Sequence, residues 1–226
     1  MKNSVIVVAG GTGTRMGSEI PKQFLLLNDY PVLMRAISCF TAYDETMTVI
    51  LVLPESQIGY WDELCKIHEF SLVHQVVKGG ETRFHSVQNG LNVLPDADLV
   101  AIHDGVRPLV SRITIENCFN IAAKNGSAIP VLPVDETLRI GSPEESKTVD
   151  RRLYYTVQTP QVFRLAILKE AYTQDWIPEF TDDASVIEKK GYHVTMVPGN
   201  RENLKITHPD DLSFASACLN KKKDTF

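Results

Sequence analysis

Cysteine, positive charge and long apolar runs are all scarce in this 226-residue chain. The four cysteines, Cys39, Cys65, Cys118 and Cys218, are widely and irregularly spaced. That spacing suggests neither a disulfide framework nor a zinc site, so buried free thiols are expected. A net charge of -5 argues against a general nucleic-acid binder, which is usually basic. No stretch is apolar for long enough to cross a bilayer, and Met1-Lys2-Asn3 leads straight into a core strand rather than a signal peptide. No membrane partner and a cytoplasmic location are therefore expected. The six histidines are scattered, and no Ser/His/Asp or Cys/His nucleophilic set stands out. His103 closes an apolar run and reads as a core or supporting residue rather than a base.

What the chain does have is a glycine-rich loop at its start. Val5 to Val8 is an apolar, β-branched run that reads as a buried strand, and it breaks into Gly10, Gly11, Gly13 and Gly17. Glycines let backbone N–H groups approach a ligand closely, and successive amides make an anion site, so a phosphate is the natural guest. The loop fits neither common phosphate-binding pattern. The nucleoside-triphosphatase loop needs a lysine directly after a glycine, and a dinucleotide fingerprint from Gly11 and Gly13 would need a third glycine where Met16 stands. Pro21 also comes too soon for a long helix to open at the loop. The loop therefore reads as one that wraps a nucleotide's phosphates, with Arg15 and Lys22 as clamps; a tight turn bearing two solvated charges is the plainer alternative.

Further along, strands alternate with helices. Asp29-Tyr-Pro31 opens a helix with an apolar face through Phe40, Thr48 to Leu53 is a strand, and a weaker helix runs from about Ser56 to His68. Leu72 to Val77 is the third strand, ending at Gly79-Gly80, and Thr82 caps the next helix. Asp98 to His103 is a strand breaking at Asp104-Gly105; Ser111 caps a helix to about Lys124, and Ala128 to Val134 is the fifth strand. Helices follow from Leu165 to Tyr172 and after Thr181; His193 to Val197 and Asn203 to Ile206 are late strands, and Thr207 with Asp210 resembles a capping box for the last helix. This order predicts an α/β fold with a doubly wound, mostly parallel sheet. Ligands gather at the carboxyl ends of such strands, where the glycine loop, Gly79-Gly80 and Asp104 all fall.

Between Asp135 and Phe163 the rhythm changes. Glu136 to Ile140 and Leu153 to Val157 flank a polar turn with no helix between them, predicting a small β arm within 135–163. An arm of that size cannot stabilise itself, so it is expected to pack against another subunit in a homodimer; a surface flap on a monomer is the alternative. Residues 1–226, with 43% hydrophobic content, otherwise suffice for one domain with a full core.

The polar residues on loops are mostly cations: Arg15, Lys22, Arg107, Arg151 and Lys205. Fixed cations suit phosphoryl or nucleotidyl transfer, where catalysis is largely positioning and neutralisation of oxygen charge. A phosphate monoester acceptor, with its second pKa near 6, would attack without a general base. Asp104 could orient a substrate hydroxyl or a magnesium-bound water, or serve only the Asp-Gly turn.

Eight motifs stand in order: Ala9-Gly-Gly-Thr-Gly-Thr-Arg-Met16, Pro21-Lys-Gln23, Gly79-Gly80 with Arg83 and Ser86, His103-Asp-Gly-Val-Arg-Pro108, Thr148-Val-Asp-Arg151, Gln158-Thr-Pro-Gln161, Thr181-Asp-Asp-Ala-Ser185 and Asn203-Leu-Lys-Ile-Thr207. As a set, spanning nearly the whole chain, they resemble the 2-C-methyl-D-erythritol 4-phosphate cytidylyltransferase family. The resemblance implies a nucleotide-diphospho-sugar transferase-like, Rossmann-like fold and transfer of CMP from CTP to a polyol phosphate. It implies that Arg15 and Lys22 hold the CTP phosphates and stabilise the transition state, with Lys205 a further phosphate contact. Ala9, Gly10, Gly11, Thr12 and Gly13 match the nucleotide loop; Gly80, Glu81 and Ser86 match positions near cytosine and ribose. Asp104 and Arg107 match residues near the acceptor, while Arg151, from the partner's arm, and Thr181 match its grip on the acceptor phosphate. The implied cofactor is magnesium, held chiefly by the triphosphate, with no protein carboxylate cluster. The family often has alanine where this chain has Gly10 and Gly105. Gly10-Gly11 also resembles ribitol 5-phosphate cytidylyltransferases, whereas Thr148–Arg151 and Thr181–Ser185 look more like the methylerythritol enzymes. A non-catalytic CTP-sensing module is the alternative of another class, although it would not need both Arg15 and Lys22.

Overall fold

The computed structural model describes residues 1–10 and 20–223. In chain order it contains β1 (Asn3–Val8), a 3-10 turn at Lys22–Phe24, β2 (Leu26–Leu27), β3 (Tyr30–Pro31), α1 (Val32–Tyr43), β4 (Thr48–Leu53), α2 (Glu55–Ile67), β5 (Gln75–Lys78), α3 (Arg83–Val93), β6 (Leu99–Asp104), α4 (Arg112–Asn125) and β7 (Ser127–Pro133). Next come β8 (Arg139–Gly141), β9 (Ser146–Thr148), a 3-10 turn at Arg151–Leu153, β10 (Tyr155–Val157), β11 (Gln161–Arg164), α5 (Leu165–Ala171), α6 (Asp183–Lys189), β12 (Met196–Pro198) and α7 (Pro209–Lys223).

The central sheet runs β10-β7-β11-β6-β1-β4-β5, with β12 also paired to β7. From β6 through β5 the pairing is parallel; β11 enters antiparallel between β6 and β7, and β10 runs antiparallel along β7. The expected doubly wound, mostly parallel sheet is therefore present. Alternate side chains of one strand serve opposite faces. Val5 and Val7 enter one core with Leu33, Phe40 and Trp61, whereas Ile6 enters a second core with Phe84, Val87 and Leu168. Each such buried aliphatic side chain contributes about 1.5–3 kcal/mol. That is why the central strands read as unbroken apolar runs. No helix of the described residues is long and apolar enough to cross a membrane.

Several expectations need correction. Leu153–Val157 is not the arm's second strand. The hairpin pairs β8 with β9, closed by Ser142 N–H donating to the Glu145 carbonyl and by Arg139, which donates to Ser146 Oγ and to its carbonyl. Tyr155–Val157 instead rejoins the main sheet as β10. The strand Gln161–Arg164 was not anticipated at all. The third strand begins at Gln75 rather than Leu72, because the His74 ring bonds the Leu72 carbonyl and the Trp61 indole and holds that stretch locally. Asn203–Ile206 forms no strand; Ile206 N–H donates to the Val106 carbonyl, and the Asn203 carbonyl accepts from the Arg107 and Gln158 side chains. The last helix is capped by Asp211, whose Oδ2 accepts from the N–H groups of Thr207 and His208 at 2.7 Å each, rather than by a Thr207–Asp210 box. The cysteines are free thiols, but only Cys118 is buried; Cys39, Cys65 and Cys218 are half-buried rather than in the core as expected.

Candidate active site

Hydrogen bonds continue the parallel ladder one step past the strand ends. Ala9 N–H donates to the Val52 carbonyl, Gly79 N–H to that of Leu53, and Gly105 N–H to that of Val8. Three loops are thereby held level at the carboxyl edge of the sheet, and they enclose a cavity of about 440 Å³. Its wall includes Ala9, Gly10, Lys22, Gly80, Glu81, Ser86, Asp104 and Lys205, eight positions anticipated from the sequence.

Local structure explains why each arrives there. Gln23 is fully buried and donates to the Ala9 carbonyl at 3.0 Å and to Gln57 Oε1 at 2.6 Å, while the Phe24 ring lies against Tyr60 and Trp61. These two anchors fix the 3-10 turn and leave Lys22 on the cavity side. Gly80 N–H donates to Ser86 Oγ at 3.1 Å, drawing the loop onto the first turn of α3. A Cβ at Gly80 would stand 2.4 Å from His85 Cβ, so the turn requires glycine. Gly105 is constrained less severely, since a Cβ there would meet Ala9 Cβ and the end of the Leu33 side chain at 2.8 Å, whereas a Cβ at Gly10 would meet no atom of the described residues within 4 Å.

At the cavity floor Asp104 is buried among three cations: Lys205 Nζ at 3.1 Å, Arg107 Nε at 3.2 Å and Arg83 Nε at 3.7 Å. Burial alone would raise its pKa, but Arg83, Lys205 and Arg107 outweigh burial and hold the carboxyl far below the usual range. Arg83 is half-buried, its side chain 27% exposed; partial loss of hydration opposes its charge, yet Asp183 and Asp104 keep it firmly protonated. His103 lies beneath, with Nε2 bonded to the Arg107 carbonyl and Nδ1 to Thr159 Oγ1, both at 3.0 Å. Thr159 Oγ1 also accepts from Asp104 N–H, so its hydroxyl hydrogen turns to Nδ1, and the Nε2–H tautomer donates to Arg107. Burial pushes the His103 pKa down to about 4, which keeps the ring neutral and makes it a scaffold.

Not every anticipated residue joins this wall. Arg107 sits behind Asp104, donating to the Asn203 carbonyl at 2.8 Å. Thr181 is exposed ahead of α6, and Arg151 is exposed on the arm, donating to the Asp135 carbonyl; both lie outside the cavity. Gly11, Thr12, Gly13 and Arg15 lie outside the described residues. Arg83 and Thr82, which line the cavity, were not singled out as binding residues. Their signal was present, since a capped helix start directly after Gly79-Gly80 aims its first residues at the loop's guest. Among the described residues no cluster of three or more His, Cys, Asp or Glu could hold a metal. Cations grouped around one ion-paired carboxylate suit an anionic ligand such as a polyphosphate.

Residues 3–221 match the family model described as 2-C-methyl-D-erythritol 4-phosphate cytidylyltransferase. A protein of that name from Bacteroides thetaiotaomicron is 52% identical over 219 residues, spanning 97% of this chain and 100% of its own. Another, from Porphyromonas gingivalis, is 50% identical, spanning 96% of this chain and 98% of its own. Among solved structures, the 2-C-methyl-D-erythritol 4-phosphate cytidylyltransferase of Thermus thermophilus is similar with a TM-score of 0.80 at 31% identity, covering 97% of this chain and 100% of that one. The 4-diphosphocytidyl-2C-methyl-D-erythritol synthase of Anaerococcus prevotii gives a TM-score of 0.81 at 27% identity, covering 97% and 98%.

Proposed function

Because this chain belongs to the 2-C-methyl-D-erythritol 4-phosphate cytidylyltransferase family, we propose that it transfers CMP from CTP to 2-C-methyl-D-erythritol 4-phosphate, releasing pyrophosphate and the CDP-linked alcohol. The observation that carries the reading is the match from residue 3 to residue 221. The cation-lined cavity at the sheet's carboxyl edge supports it.

The acceptor's phosphate oxygen forms a bond to the α-phosphorus of CTP while the bond to the β-phosphate oxygen breaks, its electron pair leaving with pyrophosphate. The acceptor phosphate is mostly dianionic at neutral pH, so no general base is needed. Lys22 and Arg15 neutralise charge that builds on the α-phosphoryl oxygens, and Lys205 holds a further phosphate. Ala9, Gly10, Gly11, Thr12 and Gly13 supply the nucleotide loop; Gly80, Glu81 and Ser86 take up cytosine and ribose. Asp104 and Arg107 stand on the acceptor side. Magnesium would enter as a companion of the triphosphate, with Asp104 the wall carboxylate that would orient a magnesium-bound water; when bound it would supply further neutralisation of phosphate charge. Residues 1–226 act as one nucleotidyltransferase domain in the cytoplasm, and the protein works as a homodimer in which Arg151 of one arm and Thr181 of the other copy grip the acceptor phosphate. Support for the dimer comes from residues 135–163, where Arg151 lies outside its own chain's cavity and apolar side chains are exposed: Ile140 on the hairpin, Leu153 after it, and Tyr155 and Val157 on the edge strand β10.

The test is pyrophosphate release from CTP and magnesium, with methylerythritol 4-phosphate and ribitol 5-phosphate compared side by side. Release that strongly favours the first is expected; release favouring the second would move the enzyme to polyol-phosphate metabolism. No release with either would overturn the transferase reading.

A further inference from the structure

The charged network continues behind the cavity wall. Asp183, the first residue of α6, is fully buried and accepts two hydrogen bonds, from Arg83 Nη2 at 2.6 Å and from the Tyr172 hydroxyl at 2.6 Å. The Tyr172 ring stacks on Phe84, the residue after Arg83, with ring centroids 4.7 Å apart. One end of α3 is thus gripped twice. The start of α6 is itself fixed, because Gln161 on β11 donates to Asp182 Oδ2 at 2.8 Å and accepts from Ala184 N–H at 2.9 Å.

Buried ion pairs are commonly neutral for stability against apolar replacements. The informative property of this pair is therefore where it holds the guanidinium. The Arg83 guanidinium lines the cavity with two carboxylates in reach, Asp183 behind it and Asp104 in front, 3.7 Å from Nε. Without Asp183, the guanidinium would turn onto Asp104 and compete there with Lys205 and Arg107.

We propose that Asp183 is a positioning residue for nucleotide binding, holding Arg83 in the cavity wall at the place where CTP sits. This rests on the cytidylyltransferase reading above.

The decisive measurement is the Kd of CTP with magnesium, by calorimetry, for the full-length wild type, Asp183→Asn, Arg83→Gln and the double variant, with thermal unfolding of each. Asparagine is close in shape and still accepts from Tyr172, so Asp183→Asn should fold. Its Kd should rise about tenfold, with kcat at saturating CTP changed less than about threefold. If Asp183 acts through Arg83, the double variant should bind CTP within about twofold of Arg83→Gln alone. A Kd for Asp183→Asn unchanged from wild type, or losses that multiply in the double variant, would overturn the proposal. Should Asp183→Asn not fold, Tyr172→Phe decides: it keeps the ring stack but loses one of the two donors to Asp183, and a Kd raised about threefold is expected, an unchanged one being contrary. The parent reading fails separately, as absence of turnover by the wild type with the acceptor.

Discussion

At the scale of single residues the site is an arrangement of charge, and its chemistry depends on which charges can move. Lys22 is held by its neighbours Gln23 and Phe24, so replacing it with alanine removes the cation and leaves the anchors. Lys22→Ala should lower kcat by about a hundredfold or more, read from pyrophosphate release at saturating substrates. An unchanged kcat would remove Lys22 from the transition state. His103 makes a different prediction. Its pKa falls from 6.5 in the unfolded chain to about 4 in the folded one, so the unfolded chain binds the proton more readily. The stability from keeping the ring neutral is complete above pH 6.5 and is lost as pH falls towards 4. Urea unfolding at pH 5 should show roughly 2 kcal/mol less stability from this group than at pH 7, and the difference should vanish in His103→Gln. Equal pH slopes in the two proteins would contradict it. The glycine loop with Lys22 is legible in local spacing, whereas Asp104 and Lys205 take their expected roles from the family resemblance. Asp183 was not legible, because its partner Arg83 lies 100 positions away and no local pattern links them.

At the scale of elements, the helices were read best. Thr82 accepts from His85 N–H and Ser111 from Thr114 N–H, local bonds that the sequence itself specifies. The arm was read least well, since Tyr155–Val157 has the same composition whether it pairs within the arm or along β7, and only the pairing partner decides. The exposed apolar residues of the arm give the next prediction. Wild-type protein should sediment as a dimer, and Leu153→Asp, a change at a residue 77% exposed in the single chain, should shift it to monomer without lowering its melting temperature appreciably. The acceptor's KM should rise in that monomer and in Arg151→Ala alike, with the KM for CTP nearly unchanged. A dimer unaffected by Leu153→Asp would place the interface elsewhere.

Across the whole molecule, the cavity wall draws on β1, the 3-10 turn, α3, β6 and the segment before α7, so nucleotide binding reports on the assembled fold. CTP with magnesium at one hundred times Kd should add about 2.7 kcal/mol to stability. For a chain of this length that is a rise of roughly 5–10 °C in melting temperature, measurable by fluorescence, and a much smaller rise is expected for Lys22→Ala. The order in which these parts emerge during synthesis also matters. Asn203 follows Arg107 by 96 residues, and Lys205 comes just after it. At roughly 5–20 residues per second, translation separates the acidic floor of the site from its last cation by about 5–20 s. During that interval the nascent chain carries Asp104 without Lys205, and Arg107 without the Asn203 carbonyl that fixes it. The early chain is therefore expected to gain little from nucleotide, and a product truncated before Lys205 should bind CTP far more weakly than the full chain, which calorimetry on the two would check.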